Sequence, residues 1–225
     1  MFREESKRIV LQRWPEGGDE MKFRLVYDGE LPPEDYAGAD DKHRIRRQFH
    51  PQLRTLWYDE PSLKRLTEAD ASGRSEVDAI ADDYAKHGFR FVPLVRTANE
   101  MGCRIEILIL MQREPRLFKG QNTGDLDNRV KTLLDGLRMP THQKSELGTA
   151  ATTGPCPDED PFFCLFEDDK SVYEIAVQTD RLLAPTRPGQ AVRDVVAVVN
   201  VHVTSILRHD FAYLSSGFGL VKKKP

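Results

Sequence analysis

Apolar residues fall into two patterns along the chain, and the first pattern predicts β-strands. Residues 23–31 alternate apolar and polar side chains and end at a Pro-Pro pair, as a half-buried strand does. Later runs are rich in Val, Ile and Phe, which favour strands. The five predicted strands are Phe23–Leu31, Phe89–Val95, Arg104–Met111, Val172–Gln178 and Val195–Thr204.

The second pattern predicts helices. In residues 41–58 apolar side chains recur at spacings of three and four, but Pro51 lies inside the run, so we expect a helix that breaks near His50. A short helix is predicted over residues 76–87. A third is predicted over residues 128–137, where Val and Leu form one apolar stripe. The polar residues 59–75 predict a loop.

The remaining segments predict the domain organisation. Residues 138–166 combine Thr, Gly, Pro and acidic residues without periodicity, which predicts a flexible insertion that could be shortened without loss of folding. Residues 1–20 predict a flexible N-terminal arm, and residues 211–225 a C-terminal tail. Between them, residues 21–210 are expected to form a single α+β domain with a mostly antiparallel sheet packed with helices.

Charge and hydropathy narrow the class of protein. The 225-residue chain has 33 Lys and Arg against 36 Asp and Glu, a net charge of −3, whereas nucleic-acid binders are usually basic. A basic cluster, Lys42, Arg44, Arg46 and Arg47, is either a DNA contact or a solvated helix face. No apolar run approaches the roughly 20 residues of a membrane-spanning helix, and the N-terminus lacks a signal-peptide core, so we expect a cytoplasmic protein without a membrane partner.

Paired carboxylates stand out just before the third predicted helix. In an extended segment Asp125 and Asp127 face the same way while Leu126 points into the core, and Lys131 follows Asp127 by one helical turn. Two close carboxylates repel each other unless a cation neutralises them, and hard oxygen ligands suit Mg²⁺ or Mn²⁺. The alternative is that Asp127 is an ordinary helix N-cap with an ordinary Asp–Lys helix pair.

A second acidic group, Glu167-Asp168-Asp169, precedes the strand predicted from Val172. By itself this group is typical of a polar turn. Because both acidic groups occur in one chain, they indicate a divided metal site with ligands from a helix start and a strand start.

The two groups together resemble the signature of the RusA-type Holliday-junction resolvases. The resemblance covers roughly residues 102–205. It rests on Asp-Leu-Asp-Asn at 125–128, Lys131, Leu-Asp-Gly-Leu at 134–137 and the Asp168-Asp169 pair before a strand. It implies a RusA-like fold with Asp125, Asp127 and Asp169 as metal ligands.

The same resemblance implies an activity. It suggests a Mg²⁺- or Mn²⁺-dependent endonuclease, acting as a homodimer on branched DNA in recombination or repair, with Lys131 as a further catalytic residue. Asn128, Asp135 and Asp168 would support the metal ligands. Two alternatives stay open: a nuclease for another DNA or RNA structure, and a catalytically silent nucleic-acid-binding protein of the same fold.

Overall fold

The computed structural model describes residues 20–112, 126–141 and 144–205, and these form two sheets and five α-helices. The strands are β1 (Glu20–Glu30), β2 (Ala85–Lys86), β3 (Phe89–Val95), β4 (Met101–Met111), β5 (Phe162–Phe166), β6 (Val172–Arg181) and β7 (Asp194–Ser205). The helices are α1 (Ala39–Asp59), α2 (Pro61–Thr67), α3 (Glu76–Asp83), α4 (Leu126–Leu137) and α5 (Ala150–Thr153).

The larger sheet has the strand order β1-β7-β4-β6. Strand β7 pairs antiparallel with both β1 and β4, while β4 and β6 are parallel. The smaller sheet has the order β2-β3-β5, with β2–β3 antiparallel and β3–β5 parallel. The α+β class is therefore confirmed, with mixed sheets in which three of the five described pairings are antiparallel.

One face of the larger sheet forms the main core. Alternate side chains of β1, β4 and β7 are buried there, as the alternating pattern predicts. Helix α1 contacts β1, α4 and β5, so it links the larger sheet to the smaller one. All five predicted strands are present, and their ends differ from the prediction by at most three residues.

The predicted break in the first helix is wrong. Helix α1 continues through Pro51, and buried residues lie on both sides of the proline. His50 is fixed by two bonds: Nδ1 accepts from the Phe163 amide at 2.9 Å and Nε2 donates to the Asp158 carbonyl at 2.9 Å. These tertiary contacts outweigh the backbone hydrogen bond that a proline removes. The predicted loop at residues 59–75 also contains a helix, α2.

The prediction of a flexible insertion at residues 138–166 is wrong as well. Strand β5 lies in this segment, and all five of its residues are buried against β3 and α1. Leu147 and Ala150 are also buried, in a second core that they share with Phe89 and Phe91. Because this segment supplies part of a core, it cannot be a surface appendage.

No helix in the described ranges is long and apolar enough to cross a membrane.

Candidate functional site

The acidic motif at residues 125–128 leads into α4, the helix that carries most of the predicted site. Asp125 lies outside the described residues. Leu126 is already helical and 39% exposed, so the expectation that it points into the core from an extended segment is wrong. Asp127 lies inside the first turn, so it is not the N-cap residue, and its exposed carboxylate is stabilised by the positive end of the helix dipole.

Helix α4 separates its polar residues from its apolar ones. Val130, Leu133 and Leu137 are buried, as the predicted stripe requires. The Lys131 side chain is 55% exposed, and its Nζ lies 3.4 Å from Oδ1 of Asn128. The helix therefore presents an aspartate, an amide and a lysine within about one turn of each other.

Two further acidic residues lie beside the start of α4, and no sequence pattern had marked them as part of the site. They belong to the 3-10 turn Glu34–Tyr36, which follows β1. Asn128 donates through Nδ2 to Oδ2 of Asp35 at 3.3 Å, and Lys131 lies 3.6 Å from Oε2 of Glu34. Tertiary packing, and not sequence spacing, brings this turn to α4. The local sequence shows only that Glu34 and Asp35 follow two prolines, as in a polar turn.

Asp135, in the second half of α4, is the centre of an ion-pair network. Its carboxylate lies 2.6 Å from Nζ of Lys42 and 2.8 Å from Nε of Arg138. Burial alone would raise the pKa of Asp135, but the hydrogen bond from Lys42 and the charge of Arg138 hold it below its usual range. Arg138 also pairs with Glu146 at 3.3 Å. Asp135 is thus an ionised group that joins α4 to α1.

The second acidic group is a pair of carboxyl groups in contact. The carboxyl group of Asp169 shares a hydrogen bond with that of Asp168, which raises the pKa of Asp169, and partial burial raises it further. The backbone amide of Lys170 donates to Asp168 at 3.1 Å and lowers the pKa of Asp168. Two such carboxyl groups hold a shared proton more tightly than an isolated one would.

Glu167 anchors this acidic pair to the smaller sheet. Its amide donates to the Val95 carbonyl at 2.9 Å. Its carboxylate accepts from the Thr97 amide at 2.9 Å and from the Tyr84 hydroxyl at 3.1 Å. Burial and the charge of Glu167 raise the pKa of Tyr84 to about 12. Asp168 therefore follows a residue that is held by three hydrogen bonds.

Strand β5 brings the second acidic group to α4. The Met139 amide, just after α4, donates to the Phe166 carbonyl at 3.0 Å. The backbone of Arg138 pairs with that of Phe166 as in a parallel β-sheet. The charges of Arg138 and Asp135 act on Asp169. The Asp168–Asp169 pair consequently lies beside the C-terminal half of α4.

The predicted three-aspartate group stays a prediction, because Asp125 lies outside the described residues. Among the residues that the structure describes, no three His, Cys, Asp or Glu side chains form a group that could hold a metal ion. The donors themselves, carboxylate and amide oxygens, suit Mg²⁺.

The basic cluster of α1 is largely engaged within the fold. Arg46 is 2% exposed and donates to the Asp135 and Arg138 carbonyls, so its guanidinium does not reach solvent. The other three have polar partners: Lys42 pairs with Asp135, Arg44 with Tyr27 and Asp41, and Arg47 with Glu159 at 2.5 Å. The four basic residues of α1 therefore cluster because they bond to neighbouring parts of the fold.

No family profile, curated protein or solved structure matches the chain.

Proposed function

We propose that this chain is a Mg²⁺-dependent endonuclease of the RusA type that cuts branched DNA as a cytoplasmic homodimer. One observation carries the proposal: the two acidic groups, which are far apart in sequence, lie along the same helix. Asp127 is in the first turn of α4, and Asp169 follows β5, whose Phe166 carbonyl accepts from the Met139 amide just after α4 at 3.0 Å.

The residues of α4 fit distinct tasks in phosphodiester hydrolysis. Asp125, Asp127 and Asp169 are the proposed holders of one or two Mg²⁺ ions, which would activate water and stabilise the leaving 3′-oxygen. Lys131 is exposed and close to Asp127 in the helix, where its charge can stabilise a phosphate. The products would be a 5′-phosphate and a 3′-hydroxyl.

The competing proposal is a catalytically silent nucleic-acid-binding protein with the same fold. Such a protein would keep the polar residues of α4 but would not cut the nucleic acid. A third proposal is a nuclease for another DNA or RNA structure, which would use the same chemistry on a different substrate.

Cleavage of a substrate panel distinguishes these proposals. Purified protein is incubated with end-labelled four-way junction, linear duplex, single-stranded DNA and RNA hairpin, each with Mg²⁺ and with EDTA. The proposed function predicts cleavage of the junction in Mg²⁺ alone and a lower rate on linear duplex. Metal-independent binding of the junction without any cleavage would instead support the silent binder. Faster cutting of another nucleic acid than of the junction would support the third proposal, a nuclease for a different DNA or RNA structure.

A further inference from the structure

Tyr36 is an exposed aromatic residue beside the start of α4. Its exposed fraction is 78%, against 57% for Tyr173 and 44% for Tyr58. Tyr58 packs edge-on against Phe163 at 6.3 Å, and the Tyr173 hydroxyl lies 3.5 Å from Oγ1 of Thr204. The Tyr36 ring has no such ring contact or hydrogen bond with the described part of the chain. Packing among the described residues therefore does not account for this tyrosine.

The backbone holds Tyr36 in a fixed position relative to α4. Tyr36 ends a 3-10 turn that follows two prolines, and its amide donates to the Pro33 carbonyl at 2.9 Å. The same turn is tied to α4 through the Asn128–Asp35 hydrogen bond and the Lys131–Glu34 ion pair. An aromatic ring on a restrained turn loses little conformational entropy when it binds a ligand.

The charges around the ring indicate which part of a nucleic acid it would contact. Glu34 and Asp35 immediately precede Tyr36, and Glu34 pairs with Lys131. Asp35 is bonded only to the neutral amide of Asn128 among the contacts described above, so the carboxylate of Asp35 is the one that repels phosphate groups. The flat face of a nucleobase carries no net charge and stacks well on an aromatic ring. Within a paired duplex this face is already stacked on the neighbouring bases.

We propose that Tyr36 stacks on an unpaired nucleobase and so directs the site on α4 to nucleic acids with exposed bases. This inference rests on the proposed function, since it takes the nucleic acid as the substrate. It adds the substrate feature that is recognised: an unstacked base, of any sequence, next to the bond that is cut. Sequence tolerance is expected because every base offers a π-face.

Binding in EDTA, where no metal-dependent cutting occurs, tests the inference. Fluorescence anisotropy gives the Kd of the full-length protein for a labelled junction with an unpaired base at its centre and for a linear duplex. Tyr36→Ala should weaken binding to the first DNA by about 5- to 150-fold, the scale of one lost base–aromatic stack. Tyr36→Phe should retain it, because the ring and not the hydroxyl makes the contact.

Tyr173→Ala is the matched control, an exposed tyrosine on β6 whose loss should leave both Kd values unchanged. The stacking proposal is overturned if Tyr36→Ala binds like the wild type or loses affinity equally for the duplex. A wild-type protein that binds neither DNA overturns both this inference and the proposed function. A wild-type protein that shows the Tyr36 effect but never cuts overturns the nuclease activity alone.

Discussion

Gly136 lies where α4 crosses α1, and its replacement by alanine tests how closely the two helices pack. A Cβ atom at this position would lie 2.3 Å from Cγ2 and 2.8 Å from Cβ of Ile45. Isoleucine has a stiff χ1 in a helix, and its Cβ cannot rotate away from the contact. The helices would therefore have to separate, which would disturb the nearby Lys42–Asp135 ion pair.

Two opposing effects set the size of the change. Alanine is favoured over glycine in a helix interior by about 1 kcal/mol. Overpacking a core costs about 1–3 kcal/mol, and contacts with atoms that cannot rotate away belong to the upper end of this range. We therefore expect Gly136→Ala to lower the free energy of unfolding by about 2 kcal/mol.

Urea unfolding of the parent, Gly136→Ala, Ile45→Ala and the double variant measures both the loss and its cause. The penalty of Gly136→Ala should shrink in the Ile45→Ala background, because the contact at 2.3 Å is then removed. Equal stability of Gly136→Ala and the parent, or the same penalty in both backgrounds, would refute the close crossing of α1 and α4.

Three further predictions follow from buried and exposed groups. Burial lowers the pKa of His43 from 6.5 to about 4, so the unfolded chain binds this proton first and stability falls as the pH drops from 6.5 to 4. Urea unfolding should show a loss of about 2–3 kcal/mol between pH 7 and about pH 4.5, and a flatter profile for His43→Leu. Deletion of residues 141–160 should abolish cooperative thermal unfolding because it removes the buried Leu147; a folded deletion variant would contradict this. Lys131→Ala should slow cleavage about 10²-fold, while its unfolding free energy changes by less than about 0.5 kcal/mol because the Glu34 pair is exposed; an unchanged rate would argue against a catalytic lysine.

Hydrophobic periodicity predicted the elements that bury only one face. Strand β1 buries every second residue, and α4 buries one stripe, so periodicity alone located both. Strand β5 has no alternation, because all five of its residues are buried, and polar segments surround it. The break near His50 was predicted from the local effect of Pro51 on a helix. The hydrogen bonds of His50 to Phe163 and Asp158, which are distant in sequence, instead hold the helix continuous.

The candidate site likewise has contacts that sequence spacing predicts and contacts that only the fold reveals. The spacing of Asp127 and Lys131 on one helix follows from local sequence, since residues four apart share a helix face. The approach of Glu34 to Lys131 and of Lys42 to Asp135 depends on how separate elements pack, which spacing cannot reveal. For the same reason, Lys42 and Arg46 of α1 could not be recognised as partners of α4 before the fold was known.

The central claim is that the aspartates on and beside α4 hold the metal for DNA cleavage. The most direct test is the cleavage rate of a labelled four-way junction in Mg²⁺ by Asp125→Asn, Asp127→Asn and Asp169→Asn, with the Kd for the junction measured in EDTA. Asp158→Asn, an exposed aspartate in the 3-10 turn Pro157–Glu159, is the matched control. We predict that the three variants lose cleavage but keep the wild-type Kd, while the control cuts normally. Wild-type cleavage rates in all three would contradict the proposed site.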